Sequence, residues 1–376
     1  MREVSLYIHL PFCIRKCNYC DFLSGAYPDR DRRNYLAALA AEMKRYGMKM
    51  KGYVAGTVFI GGGTPSILET DEIEYLMVEL RKNFWIRPEA ELTMEANPGT
   101  LTMDKLSCYR RLGINRLSIG LQSADNELLR VLGRIHTREE FEVNYQMARE
   151  CGFDNINIDL MSSLPGQSVP SWEDTLLYTA GLGPEHISAY SLIIEPGTPF
   201  YDRYQSGEGL PTEEEDRQMY YSTREILSEF GYHRYEISNY ARPGRECVHN
   251  LVYWRRGEYL GLGLGAASLM EDRRFTNTDS FNTYVESAGR KDVRTEINHL
   301  NRQERMEEFM FLGLRCIEGV SAAEFERQFH SSLDSVYGGV LEALGNDGLV
   351  RRTGDRIALT DRGIDVSNVV LAEFLF

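Results

Sequence analysis

The chain has 376 residues, enough for one large domain and a smaller one. Its net charge of −14 argues against broad nucleic-acid binding, which needs a basic surface. No stretch approaches the roughly 18 apolar residues of a membrane-spanning helix, so we expect no transmembrane segment. The 7 cysteines form an odd, scattered set, which fits a reducing cytoplasm better than a disulfide framework.

The first 200 residues alternate β-rich runs with amphipathic stretches. Apolar residues at positions 36, 39, 40 and 43 predict a helix over residues 30–48, and Thr137 with Glu140 has the spacing of a capping box. Six such strand–helix units with right-handed crossovers predict an α/β fold, a partial (β/α)6 barrel. The predicted strands are residues 4–12, 57–60, 91–96, 116–121, 155–160 and 186–194.

The regular alternation ends near residue 200. Residues 201–295 are predicted to be a helical and β-rich continuation, with strand residues at 232–240. From residue 296 to residue 376, helical runs precede a two-strand hairpin at 348–360, a pattern that predicts a winged-helix-like α+β domain. Such domains can bind DNA through a recognition helix. This one has more acidic than basic residues, which favours protein interaction or packing.

Three cysteines follow the first predicted strand, with the spacing C-x3-C-x2-C: Cys13, Cys17 and Cys20. Soft thiolates select zinc, Cu(I) or iron–sulfur clusters. A [4Fe–4S] cluster takes four ligands, so three cysteines would leave one iron open to a small molecule. The spacing favours such a cluster. The alternative is a zinc site, which needs a fourth ligand and could take it from nearby His9.

Glycine and polar residues recur at the carboxyl ends of the predicted strands, where parallel barrels bind ligands. Glycine lets backbone approach a ligand closely, a carboxylate can accept from a pair of hydroxyls, and an arginine can pair with a carboxylate. Each residue alone has an ordinary explanation as a turn, a salt bridge or a surface position. Their recurrence predicts a pocket. The residues are Gly62, Gly63, Thr64, Glu95, Gln122, Arg134 and Asp159.

The cysteine loop and the strand-end residues together resemble the radical S-adenosylmethionine (SAM) superfamily. The order of motifs resembles its oxygen-independent coproporphyrinogen III oxidase-like group over nearly the whole chain. The resemblance implies a [4Fe–4S] cluster on Cys13, Cys17 and Cys20. It also implies a set of SAM contacts, which are Tyr7, Tyr19, Gly62, Gly63, Thr64, Glu95, Gln122, Arg134 and Asp159.

Two positions bear on the branch of this group. The oxidases carry a further cysteine two residues after the cluster motif, where this chain has Phe22. Residues 247–254 resemble the H-N-x-x-Y-W motif of the HemW-type haem chaperones. That resemblance implies haem binding by His249, Tyr253 and Trp254, although ordinary core packing would also explain these residue types.

Cys247 is a second candidate haem ligand. It lies two residues before His249, and on a strand both side chains would face the same side.

The resemblance implies a haem chaperone that carries a SAM-bound [4Fe–4S] cluster and transfers haem to an acceptor protein. An electron donor is an expected second partner, and the chain could touch a membrane peripherally through its acceptor. Two alternatives stand beside this hypothesis: an oxygen-independent coproporphyrinogen III oxidase, and a zinc-stabilised interaction module. No catalytic residue is assigned, and the interpretation leans towards a carrier rather than an enzyme.

Overall fold

The computed structural model describes all 376 residues. Its strands form one large and one small sheet. They are β1 (Arg2–Leu10), β2 (Tyr53–Gly62), β3 (Ile86–Ala96), β4 (Arg116–Gln122), β5 (Ile156–Ser162), β6 (His186–Ser191), β7 (His233–Arg234), β8 (Asn239–Ala241), β9 (Tyr259–Leu262), β10 (Ala267–Met270), β11 (Arg273–Asn277), β12 (Arg294–His299), β13 (Val320–Ser321), β14 (Val350–Thr353) and β15 (Arg356–Leu359).

The helices lie between these strands and beyond them. They are α1 (Asp29–Gly47), α2 (Thr70–Asn83), α3 (Met103–Arg111), α4 (Asn126–Leu132), α5 (Arg138–Glu150), α6 (Val169–Gly181), α7 (Pro199–Tyr204), α8 (Glu213–Glu229), α9 (Val248–Trp254), α10 (Phe281–Ser287), α11 (Arg302–Gly313), α12 (Ala322–Phe329), α13 (Leu333–Asn346), α14 (Asp361–Asp365) and α15 (Ser367–Ala372). None of them is both long and apolar enough to cross a membrane.

Strands β1 to β6 are parallel neighbours in chain order, with a helical connection between each pair. On one side β9 continues the sheet parallel to β1, and on the other side β8 pairs with β6 in the antiparallel sense. The six parallel strands are therefore flanked by later strands instead of pairing with each other to close. The predicted partial (β/α)6 barrel is confirmed.

Burial explains why these segments are strands. The outward side chains of β1, including Leu6, Ile8 and Leu10, are buried against the surrounding helices, whose Leu39 and Leu76 are also buried. Parallel sheets need cover on both faces, and such strands read as apolar runs. The main core extends into residues of β9 and α10, so residues 201–295 share the hydrophobic core of the barrel.

The C-terminal part has a core of its own. Helices α11, α12 and α13 pack against the three-stranded sheet β13-β15-β14 around Phe309, Phe325 and Tyr337. The predicted hairpin is present, with Val350 opposite Leu359 in antiparallel register. The winged-helix-like prediction is confirmed in its elements.

The condition under which Cys247 and His249 would face the same side is not met. Residues 248–254 form helix α9 and not a strand, so Cys247 and His249 do not share a strand face. The cause is a distant carboxylate on β3. Glu91 accepts hydrogen bonds from the backbone N–H of Val248 at 3.2 Å and of His249 at 3.0 Å. An anion at a helix N-terminus satisfies free N–H groups and favours the helix dipole.

Candidate functional site

The cysteine loop leaves the carboxyl end of β1 and returns beside it. The backbone N–H of Cys13 donates to the carbonyl oxygen of Gly25 at 2.9 Å, and the N–H of Gly25 donates to the carbonyl oxygen of Pro11 at 2.9 Å. These two bonds close the loop at its base. Its three thiols, on Cys13, Cys17 and Cys20, are half-buried and form no disulfide.

The glycine-rich end of β2 lies directly against this loop. A Cβ atom on Gly63 would lie 2.6 Å from the carbonyl oxygen of Phe12 and 3.0 Å from the Sγ atom of Cys13, so only glycine fits there. The hydroxyl of Thr64 donates to the same Sγ atom at 3.6 Å. The structure therefore brings two predicted SAM residues onto one predicted cluster ligand.

The donor set fits a cluster better than a single zinc ion. Zinc sites gather four ligands around one point, but no three His, Cys, Asp or Glu side chains converge in that way. His9 is also engaged: its Nδ1 is 3.0 Å from the hydroxyl of Tyr7 and its Nε2 is 2.9 Å from the carbonyl oxygen of Leu23. Since a carbonyl only accepts, Nε2 carries the proton and neither nitrogen is free for a metal. The alternative in which His9 completes a zinc site is wrong.

Arg134 connects the cysteine loop with strand β4. Its Nη1 lies 3.6 Å from the Sγ atom of Cys17, and its Nη2 donates to the carbonyl oxygen of Gly120 at 2.7 Å. Gln122 is adjacent, in the left-handed region with φ +71°, at the end of β4. Tyr19 lies beside Arg134 and Cys17, and burial raises the pKa of its hydroxyl. These predicted SAM residues share one side of the cysteine loop.

Glu95 and Asp159 form a second part of the predicted SAM site. The carboxylate of Glu95 accepts from the backbone N–H of Gly62 at 3.0 Å. Burial raises the pKa of Glu95 to about 7, with the charge of Asp159 adding to the effect and the Gly62 N–H opposing it. Burial also raises the pKa of Asp159. A cationic ligand such as SAM would favour the ionised form of both carboxyls.

Beneath these residues the barrel encloses a cavity of about 200 Å³. Tyr7, Glu95 and Asp159 line it from above. Other polar residues that line the cavity were not predicted as site residues from the sequence. They are Arg116, Ser118, Asn157, Ser188, Tyr190 and Asn250. The signal was in the strands: polar side chains stand at alternate positions of β4, β5 and β6, and alternate residues of a strand share one face.

The polar side chains of β4 and β5 bond mainly to each other. The amide of Asn157 donates to the hydroxyl of Ser118 at 2.7 Å and to Asp159 at 2.8 Å. The hydroxyl of Ser118 in turn donates to Asp159 at 3.0 Å. The Asp159 carboxylate is thus held in place by neutral donors.

Helix α9 closes the cavity at the amino ends of the strands. The Nδ1 of His249 is 2.7 Å from the hydroxyl of Thr57, and its Nε2 is 2.8 Å from the hydroxyl of Tyr253. His249 is 1% exposed, and burial lowers its pKa to about 3. Haem iron could bind this ring only after one of the two hydrogen bonds broke.

The other predicted haem residues are similarly engaged. Cys247 is fully buried, and burial raises the pKa of its thiol to about 12, which disfavours the thiolate that a metal needs. Trp254 packs under the guanidinium of Arg315, with 4.4 Å between the Cζ atom and the ring centroid. The assignment of His249, Tyr253 and Trp254 to haem therefore stays a prediction from the family resemblance.

Comparisons with known proteins agree with the cysteine loop and the fold. The pattern of the Radical SAM superfamily matches residues 7–178, and that of the HemN C-terminal domain matches residues 300–366. A protein of Bacillus subtilis named heme chaperone HemW is 37% identical over 99% of both chains. The chain belongs to the HemW family.

Members from distant bacteria give similar values. The HemW protein of Escherichia coli is 41% identical over 70% of this chain and 69% of its own length. That of Mycobacterium tuberculosis is 33% identical over 99% of this chain and 94% of its own. Among solved structures, coproporphyrinogen III oxidase HemN of Escherichia coli, described as a radical SAM enzyme, has a TM-score of 0.87 and 26% identity, covering 99% of this chain and 90% of that one. This chain thus has the fold of a protein that is named a coproporphyrinogen III oxidase.

Proposed function

We propose that this chain is a cytoplasmic haem carrier that also holds a [4Fe–4S] cluster and SAM. The observation that carries the proposal is its relation to proteins named heme chaperone HemW along 99% of its length, with the three cysteines free on one loop. Membership of the radical SAM superfamily implies the cluster and SAM. Cys13, Cys17 and Cys20 would hold the cluster, which when bound supplies an electron.

The other predicted residues at the carboxyl ends of the strands, an end of the barrel that we call the mouth, would hold SAM. The Gly63 backbone and Thr64 lie against Cys13, and Arg134 lies against Cys17. A ligand bound to an iron beside these cysteines would meet an arginine suited to a carboxylate and, at Glu95, a carboxyl suited to hydroxyl groups. SAM offers both chemistries.

The open end of the barrel suits haem better than the closed end. An interior cavity of about 200 Å³ is smaller than the roughly 300–1,000 Å³ of typical sites for drug-sized ligands, and a porphyrin is larger than most of these. Around the mouth, by contrast, Ile14, Phe22 and Ile193 are 53%, 64% and 69% exposed. Exposed apolar groups of this kind mark binding surfaces, and a flat apolar macrocycle could cover them.

The mouth is a continuous piece of structure. The segment after β6 touches the cysteine loop, since the backbone N–H of Phe200 donates to the carbonyl oxygen of Asn18 at 3.0 Å. The rings of Tyr19 and Phe200 are also in contact, with centroids 6.4 Å apart. Haem bound here would lie beside the cluster, where a change in the cluster could alter haem affinity and so influence transfer to an acceptor protein.

A haem titration tests this proposal. The full chain is reconstituted with its cluster under anaerobic conditions, SAM is added, and haem binding is followed by absorption. We expect saturation at about one haem per chain, followed by transfer to an added apo-haem protein. Absence of saturable binding by a cluster-loaded protein would contradict the proposal.

A second candidate function is anaerobic coproporphyrinogen III oxidation. The observation that favours it is the structural likeness to HemN, with a TM-score of 0.87 over 99% of the chain. Phe22, at the position where the oxidases have a further cysteine, opposes it. Loss of carboxyl groups from coproporphyrinogen III, incubated with the loaded protein, SAM and a reductant, would establish this second function.

A further inference from the structure

The guanidinium of Arg116 is a buried charge that forms no ion pair. The residue is 2% exposed, and its Nε has no hydrogen-bond partner. A buried cation normally pairs with a carboxylate, because removal from water disfavours its charge strongly. Arg116 begins β4, and its side chain lines the barrel cavity.

The acidic groups closest to Arg116 are occupied elsewhere. Glu91 accepts from the N-terminal N–H groups of α9, and Asp159 accepts from Ser118 and Asn157. Neither forms an ion pair with Arg116. Burial lowers the pKa of Arg116, but the charges of Glu91 and Asp159 raise it and so favour the cation from a distance. The guanidinium therefore lines the cavity without a carboxylate in contact with it.

Several other groups that line the cavity are neutral and can form hydrogen bonds. Ser118, Ser188, Tyr190 and Asn250 all line it. Tyr190, near the end of β6, is also 40% exposed, so this side chain lies between the cavity and the surface. Glu95 and Asp159 also line the cavity, where they pair in register with Ser118 and Ser188, and their charge would oppose an anion. Arg116 lies two positions before Ser118, so an anionic group is favoured only in direct contact with the guanidinium.

We propose that Arg116 binds a carboxylate that enters the barrel cavity on a narrow arm. Arginine matches a carboxylate with two parallel hydrogen bonds. The volume of about 200 Å³ admits such an arm and excludes a whole macrocycle.

Two sources share this chemistry: a propionate side chain of haem, and a small free carboxylic acid. The first source rests on the proposed haem-carrier function, whereas the carboxylate site does not.

The experiment uses the full chain loaded with cluster and SAM, with three probes: haem, haem dimethyl ester, in which both propionates are blocked, and sodium propionate. Arg116→Met removes the charge, Arg116→Lys keeps it, and Arg130→Met at an exposed arginine is the matched control. A charged hydrogen bond is lost in Arg116→Met, so we expect haem affinity to fall about tenfold or more. The ester should bind both proteins equally.

Thermal unfolding gives a readout that does not depend on haem. Propionate should raise the Tm of the wild type and of Arg130→Met in a concentration-dependent way, and should not raise that of Arg116→Met. Because Arg116 forms no ion pair and interacts with Glu91 and Asp159 only at a distance, we expect Arg116→Met to stay folded with at most a small loss of Tm. If that variant does not fold, Arg116→Lys and the propionate dependence of the wild type still decide the question.

The possible results distinguish the carboxylate site from the haem-carrier function. Propionate protection that depends on Arg116, with haem affinity unaffected by the substitution, supports the site and identifies a small acid as its ligand. Propionate protection in a wild type that binds no haem supports the site and contradicts the carrier function. Equal haem affinity in both proteins, with no propionate effect on the wild type, overturns the proposal and leaves a hydrated cavity only.

Discussion

The two ends of the barrel differ in how far their side chains are already bonded within the protein. The mouth is the end formed by the carboxyl ends of the strands, and the floor is the opposite end, where α9 packs. The mouth has groups that a ligand could contact: three free thiols, an arginine next to one of them, and exposed apolar side chains. At the floor, His249 uses both ring nitrogens inside the protein, and Glu91 uses its carboxylate to start α9. Reactive residue types thus occur at both ends, and only their hydrogen bonds show which end is prepared for a ligand.

This difference explains why a motif alone is a weak guide to a site. The H-N-x-x-Y-W segment contains residue types that bind haem in other settings. Here Tyr253 and Thr57 satisfy the histidine, and the helix fills the bottom of the barrel. Arg116 is the exception at this end, because its Nε has no hydrogen-bond partner.

The largest effect is expected from the cysteine loop. Cys17→Ser should abolish assembly of the iron–sulfur cluster and leave a folded protein, because the proposal makes this thiol a cluster ligand and the thiol is not part of the core. Cys151→Ser, at a half-buried cysteine outside the loop, is the control and should keep its iron. Iron and sulfide content, with circular dichroism for the fold, measure both. Full iron content in Cys17→Ser would show that the ligands are different.

The next effect concerns the floor. His249→Ala removes two hydrogen bonds and a buried ring, so we expect unfolding free energy to fall by about 3 kcal/mol while haem binds with unchanged stoichiometry. Denaturant unfolding and haem titration on the same preparation provide the test. Loss of haem from a variant with fold and cluster intact would move the haem site to the floor.

The stability of the folded protein should depend on pH through Glu95 at the mouth. Glu95 has a folded pKa of about 7, above its ordinary value, so the folded protein holds this proton more tightly. Its stabilising contribution is full below the ordinary pKa and is lost as pH rises through about 7. Between pH 5 and pH 8, SAM-free wild type should lose about 2 kcal/mol more stability than Glu95→Gln. Equal losses in both proteins would contradict the raised pKa.

The smallest effect is expected at the apolar rim. Phe22→Ser should leave stability within about 0.5 kcal/mol, as for most surface substitutions, and should weaken haem binding about five-fold through lost apolar contact. Phe230→Ser, at another exposed phenylalanine, is the matched control. Haem titration measures both variants. Unchanged haem affinity in Phe22→Ser would contradict the proposal that haem binds at the mouth.

Much of the fold could be predicted from the sequence, for reasons visible in particular residues. The β-rich segments of β1 and β4 and the capping box at Thr137 are local signals, and the structure contains each of them. The cysteine spacing is equally local. Helix α9 could not be predicted in this way, because Glu91, which starts it, lies more than 150 residues earlier in the chain.

The interior of the barrel was harder to predict than its rim. Arg116 looked like an ordinary charged residue at the start of a strand, and the sequence does not show that its side chain turns inwards without a partner. The alternation of polar residues in β4, β5 and β6 was the available signal. It gains meaning only when the three strands lie side by side and their alternate side chains face one cavity.

One measurement tests the central claim most directly: haem titration and coproporphyrinogen III decarboxylation on the same anaerobic sample of the cluster-loaded, SAM-bound chain. The account predicts about one haem per chain and no decarboxylation. Decarboxylation without haem binding would contradict it and would make this HemW-family chain an oxidase like the structure that it resembles.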